Sequence, residues 1–182
     1  MKFETCEIKG LIICKPKIIC DKRGFFTETF RKDLFDNFTS ERSSFCQTNC
    51  SESNYGTIRG LHFQISPSSQ SKLVSVQSGE ILDVVLDLRK NSKTFGKSFS
   101  VLLNDINNYQ FFIPRGFAHG FSVLSSKARV QYMVDNFYDK KNELGINPLD
   151  EHLNIDWRVN NPIISEKDIA NPNFDKNKHY NF

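Results

Sequence analysis

Between Phe45 and Tyr138 the chain is divided into short β-branched and aromatic runs by Gly, Asn, Asp and Ser turns, and that punctuation confines it to an all-β fold. The runs are Phe45–Cys50, Gly56–Gln64, Lys72–Gln77, Glu80–Leu88, Gly96–Leu103, Gln110–Ile113, Gly120–Leu124 and Val130–Tyr138. Upstream stand an alternating stretch over residues 7–20, which Pro16 suits to a sheet edge, and the aromatic run Phe25–Phe30. Asp21–Gly24, Ser51–Gly56, Ser66–Gln70 and Asn104–Asn108 carry turn or loop chemistry between them. About nine or ten short strands at this spacing predict a β-sandwich or barrel, with no competing βαβ alternation. Arg31–Phe38 reads as two helical turns ended by Thr39-Ser40, and Ser165–Asp168 as the start of a short C-terminal helix. The loop-rich segment after Asp139 is punctuated by Pro148, Pro162 and Pro172. With no repeat or linker, residues 1–182 read as one domain with a wrapping tail.

Composition removes several classes of function. Seventeen Phe supply the bulk for a large interior, whereas a net charge of +3 is too small to draw a nucleic acid and leaves room only for a local anion site. No signal-peptide pattern opens the chain and no apolar run reaches membrane-spanning length, so no membrane partner is expected and the cytoplasm is the expected location. The five cysteines (Cys6, Cys14, Cys20, Cys46, Cys50) form no CxxC pair and read as free thiols.

The chemistry centres on the strand Gly56–Gln64. Strict alternation puts Ile58, Gly60, His62 and Gln64 on one face and Arg59, Leu61 and Phe63 on the other. An isolated histidine in such a strand is most often a core residue, so its meaning depends on what joins it. Gly56-x5-His62-x-Gln64, followed by Lys72-x6-Gly79, and then Pro114-x-Gly116-x-x-His119 match the outline of the two cupin motifs. The resemblance implies a cupin-like jelly roll, or double-stranded β-helix, with short C-terminal helices. Metal-binding cupins carry a histidine at the position of Gln64 and a glutamate at that of Lys72. An ammonium there repels a divalent cation and leaves only His62 and His119, so the expected pocket holds no metal and handles protons.

A longer series stands in order: Arg23-Gly24-Phe25-Phe26-x-Glu28, Ile58–Gln64, Gln70-x-Lys72, Asp83-Val84-x-x-Asp87-Leu88-Arg89, Ile113–Phe121, Tyr132, Tyr138, Glu143-x-Gly145, Ile155-Asp156-Trp157 and Ser165–Asp168. From about residue 10 to 170 the chain resembles the dTDP-4-dehydrorhamnose 3,5-epimerase family. That resemblance implies proton abstraction beside the ketone of a nucleotide-linked 4-keto-6-deoxy sugar and reprotonation from the other face, with no cofactor. His62 would be the base, Asp168 its orienting carboxylate, Lys72 the partner of the carbonyl oxygen and Tyr132 the acid. Asp83 would hold Lys72 or the histidine, or be a buried structural carboxylate. Arg59 and His119 would meet the diphosphate, joined by Arg23, Gln47 and Asn49. Phe26, Glu28 and Tyr138 would lie near the base, Glu143 would help close the site, and Phe25 would pack in the core. In the family Arg23 to Glu28 cross to the neighbouring subunit, implying a homodimer with exchanged N-terminal strands.

The chain departs from the family at Asn147-Pro148-Leu149-Asp150, where Trp-Asn-Asp is usual, and at Trp157-Arg158, where Trp-Pro is usual. Both departures are expected in a tail closing over the sugar. A GDP carrier, a heptose and inversion at C3 alone stay open, as do three other classes: a 3,4-ketoisomerase, a metal-dependent cupin oxygenase and a non-catalytic sugar-binding cupin.

Overall fold

The computed structural model describes residues 1–39 and 44–182; Ser40, at the expected end of the first helix, lies outside them. In chain order the strands are β1 (Lys2–Thr5), β2 (Ile12–Lys15), β3 (Ile18–Asp21), β4 (Gly24–Thr27), β5 (Gln47–Asn54), β6 (Thr57–Gln64), β7 (Lys72–Ser78), β8 (Glu80–Asp87), β9 (Ser98–Asn104), β10 (Gln110–Ile113), β11 (Phe117–Val123), β12 (Lys127–Val134), β13 (Glu143–Gly145) and β14 (Ile163–Ile164). Among the described residues the α-helices are α1 (Lys32–Thr39) and α2 (Glu166–Ile169).

Period-2 alternation gives these strands an inner and an outer face, and they assemble into two six-stranded sheets. One runs β1-β2-β10-β7-β12-β5; the other runs β13-β6-β11-β8-β9, with β14 parallel to β6. β3 and β4 form a separate two-stranded ribbon. Between the sheets, Val74, Val76 and Val130 of the first pack with Ile81, Val85 and Phe121 of the second. The outer face of the first sheet is covered by α1, whose Phe35 packs edge-on to Phe112 with ring centroids 5.0 Å apart. Ile146, Leu153 and Trp157 of the tail cover Ile58, Leu61 and Leu86 on the outer face of the second. The result is a cupin-like jelly roll whose sheets stay open. All five cysteines are free, and among the described residues no helix is long and apolar enough to cross a membrane.

Several expectations are corrected. Residues 7–20 split into β2 and β3 around Pro16, and β2 is not an edge strand but lies between β1 and β10. Ser51–Asn54 is no loop: it is the second half of β5, paired residue for residue with Val130–Lys127 of β12. Its polar composition reflects a strand with one face toward a cavity and the other toward solvent. Val130–Tyr138 is shifted to Lys127–Val134, and β11 begins at Phe117 instead of Gly120. Phe25 is not a core residue; it is 61% exposed on the ribbon.

Candidate active site

A cavity of about 650 Å³ opens between the sheets, lined by residues of β5, β6, β7, β11 and β12 and by the tail at residues 163–168. Its wall depends on a bulge. His119 of β11 pairs with His62 of β6, but Phe121 pairs with Arg59, so Gly60 and Leu61 together face Gly120. Gly60 has φ +133°, and a Cβ there would stand 2.5 Å from the Gly120 Cα. The extra residue breaks the expected alternation. Arg59 and His62 both reach the cavity, while Ile58, Leu61 and Phe63 pack on the outer side.

His62 Nε2 lies 2.6 Å from Asp168 Oδ1. Ser165 caps α2 by accepting the Asp168 N–H, and the Gly60 N–H donates to Asp168 Oδ2 at 3.3 Å, so His62 and Gly60 hold the carboxylate from two directions. Burial pushes its pKa up, but the hydrogen bond and charge of His62 lead the opposing effects and leave it below the usual range. With Nε2–H donating to Asp168, the neutral ring keeps its lone pair on Nδ1.

Lys72 and Tyr132 stand on the opposite sheet. The Lys72 ammonium lies 6.0 Å from the Tyr132 ring centroid. Burial brings its pKa down to about 8, against the pull of Asp83 and Glu143. Burial raises the Tyr132 phenol and outweighs the opposing hydrogen bond from Asn49, so the hydroxyl keeps its proton. A relay holds it: the Tyr138 N–H donates to Gln47 Oε1 at 3.1 Å, and Gln47 Nε2 to Asn49 Oδ1 at 2.8 Å. Asp83 bonds His119 Nε2 at 2.9 and 3.0 Å, so the histidine it holds is His119. Burial lowers the pKa of that ring, against the pull of Asp83.

At the rim, Arg59 Nε donates to Ser53 Oγ at 2.9 Å. Glu143 accepts the Tyr138 hydroxyl at 3.0 Å and also pairs with Lys167. Lys167 lines the cavity beside Asp168, yet sequence reasoning gave it no role; its place in the Ser165–Asp168 run was the available signal. Arg23, Phe26 and Glu28 do not join the cavity of their own chain. Arg23 pairs with Asp21 and Glu28 with Arg31, while Phe26 is 65% exposed on the ribbon. The two departures from the family pattern also lie elsewhere than expected. The Trp157 indole donates to the Pro148 carbonyl at 2.8 Å on the outer face, and Asp150 accepts the Phe174 N–H at 2.7 Å. Neither closes over the cavity; Ile163–Asp168 does that.

On a cupin-like scaffold, a paired imidazole, an ammonium and a protonated phenol around one cavity make a proton-transfer site of the kind isomerases use. The family model described as dTDP-4-dehydrorhamnose 3,5-epimerase matches residues 5–176. A dTDP-4-dehydrorhamnose 3,5-epimerase of Shigella flexneri is 46% identical over 174 residues, 96% of either chain. The crystal structure of a dTDP-4-dehydrorhamnose 3,5-epimerase from Elizabethkingia anophelis superposes with a TM-score of 0.93 at 43% identity, over 99% of both chains. That of a dTDP-6-deoxy-D-glucose-3,5-epimerase from Legionella pneumophila, in complex with dTDP-4-keto-L-rhamnose, gives 0.90 at 42% identity, over 94% of this chain and 92% of that one. The chain belongs to the dTDP-4-dehydrorhamnose 3,5-epimerase family.

Proposed function

We propose that this chain, acting as a single cupin-like domain, epimerises a dTDP-linked 4-keto-6-deoxy sugar at C3 and C5, in the synthesis of a surface-polysaccharide sugar. The observation that carries the reading is the division of labour across the cavity: His62 with Asp168 on one side, Lys72 and Tyr132 on the other. His62 Nδ1 takes the proton from the carbon beside the ketone, and the electron pair moves onto the carbonyl oxygen. The Lys72 ammonium stabilises that enolate where its charge develops. The Tyr132 phenol returns a proton to the opposite face, which inverts the carbon. Asp168 stabilises the imidazolium formed in the first step, and exchange with water resets both groups.

Arg59 is suited to the diphosphate by its fork geometry, with Gln47, Asn49 and His119 behind it and Tyr138 offering a ring to the base. Glu143, linked to Tyr138 and Lys167, ties the closing segment to the rim. Arg23, Phe26 and Glu28 serve a neighbouring subunit in a homodimer with exchanged N-terminal strands. The exposed apolar ribbon, with Ile19, Phe25 and Phe26 uncovered, supports that arrangement. Five free thiols suit a reducing cytoplasm. Incubation with dTDP-4-keto-6-deoxyglucose in deuterated water tests the activity. Deuterium at both C3 and C5 is expected; label at C3 alone reduces the enzyme to a single inversion, and no label overturns the proposal.

A further inference from the structure

Gln64 stands where a metal-binding cupin carries its second histidine, and the scheme above gives it no task. It lies on β6 two residues beyond His62, opposite Glu143, and is 6% exposed. Its Oε1 accepts the backbone N–H of Asp139 at 2.7 Å, a bond that only the carbonyl end of the amide can accept. The amide is thereby oriented, with its NH2 turned away from Asp139. That NH2 is buried and finds no acceptor among the described residues. Buried donors are seldom left so in folded proteins.

Gln64 lines a side chamber of about 220 Å³ together with His62, Lys72, Tyr132, Tyr138 and Glu143. His62, Lys72 and Tyr132 also line the larger cavity, so these three groups form the wall common to both spaces. Other donors of the chamber are occupied: the Tyr138 hydroxyl by Glu143, and Gln47 Nε2 by Asn49. Besides the Tyr132 hydroxyl, which the scheme above already uses, Gln64 and Lys72 remain, a neutral donor and a cation, each without a protein hydrogen-bond acceptor among the described residues.

We propose that Gln64 is a substrate-contacting residue whose NH2 donates to an oxygen of the bound keto sugar, beside the oxygen that Lys72 meets. Resting on the function proposed above, this contact fixes the sugar ring between base and acid, while the other end of the same amide holds the Asp139 loop. A purely structural role predicts that only the Asp139 bond matters.

Gln64→Glu separates the two, because it keeps an acceptor for the Asp139 N–H and the side-chain volume but deletes the NH2. Gln64→Met deletes both ends and adds no charge beside Lys72. Both variants are expected to lose about tenfold or more in kcat/KM for the sugar nucleotide, while Gln64→Glu keeps the wild-type affinity for dTDP alone. A loss shared by the Met variant assigns the effect to the missing donor and not to the new carboxylate. Either variant within about twofold of wild type overturns the inference. A readout that needs no stable variant is the side-chain NH2 signal of Gln64 in ¹⁵N-labelled wild-type protein. It is expected to shift on adding the sugar nucleotide and not on adding dTDP; no shift, or the same shift with dTDP, overturns the proposal. Wild-type protein that binds the sugar nucleotide without turning it over would instead bring down the proposed function, and this inference with it.

Discussion

Lys72 carries its charge in a place where burial works against it, with a pKa brought down to about 8. The protonated form is the one that stabilises an enolate. It is present below that pH and lost above it, so the rate falls by about tenfold per pH unit well above 8. Lys72→Arg keeps its charge and shifts that alkaline limb out of range, whereas a wild-type profile flat to pH 10 contradicts the assignment. Asp168→Asn preserves an acceptor for the Gly60 N–H but removes the charge facing the imidazolium; a loss of kcat on the order of 10³-fold is expected, with dTDP affinity unchanged. Both residues were named through the family resemblance of the blocks Gln70-x-Lys72 and Ser165–Asp168, and both line the cavity. Arg59 was singled out as a candidate cation, but its face was not legible, since period-2 reasoning cannot see the bulge that brings it to the cavity beside His62. Lys167 escaped because its neighbour Asp168 had already explained the run.

At the scale of elements, the β6–β11 bulge decides which side chains the cavity receives. Gly60 sits at φ +133° with the Gly120 Cα in the space a Cβ would take, 2.5 Å away. Gly60→Ala is therefore expected to lower stability by roughly 2–4 kcal/mol in urea denaturation, and to reduce kcat beyond any loss of folded protein because Arg59 and His62 shift together. An unchanged midpoint would show that the close approach is not needed. Strong β-branched strands such as β8 could be placed from sequence because both their faces are buried. β5 could not, since Gln47, Asn49, Ser51 and Ser53 face the cavities and the alternate positions are exposed, leaving no hydrophobic signature. β13 and β14, at three and two residues, are too short to generate a period.

The whole molecule separates the proposed chemistry by sheet: His62 on β6 belongs to one, Tyr132 on β12 to the other. Their opposition across the cavity is thus a property of the fold. The sequence named both residues but not the layers between which they stand, because packing of α1 and the tail on the outer faces involves long-range contacts without local pattern. The ribbon adds a second molecular-scale expectation. If arms are exchanged, mixing an Arg23→Ala variant with a His62→Ala variant, each nearly inactive, creates one intact site per mixed dimer and recovers about a quarter of wild-type activity. No recovery after subunit exchange would place Arg23 outside the site. The central claim, that removal and return of the proton are tasks of separate residues on facing sheets, is tested by comparing deuterium exchange with turnover. His62→Ala is predicted to abolish both, whereas Tyr132→Phe slows turnover more than it slows exchange; an equal loss of exchange in the two variants would contradict the account.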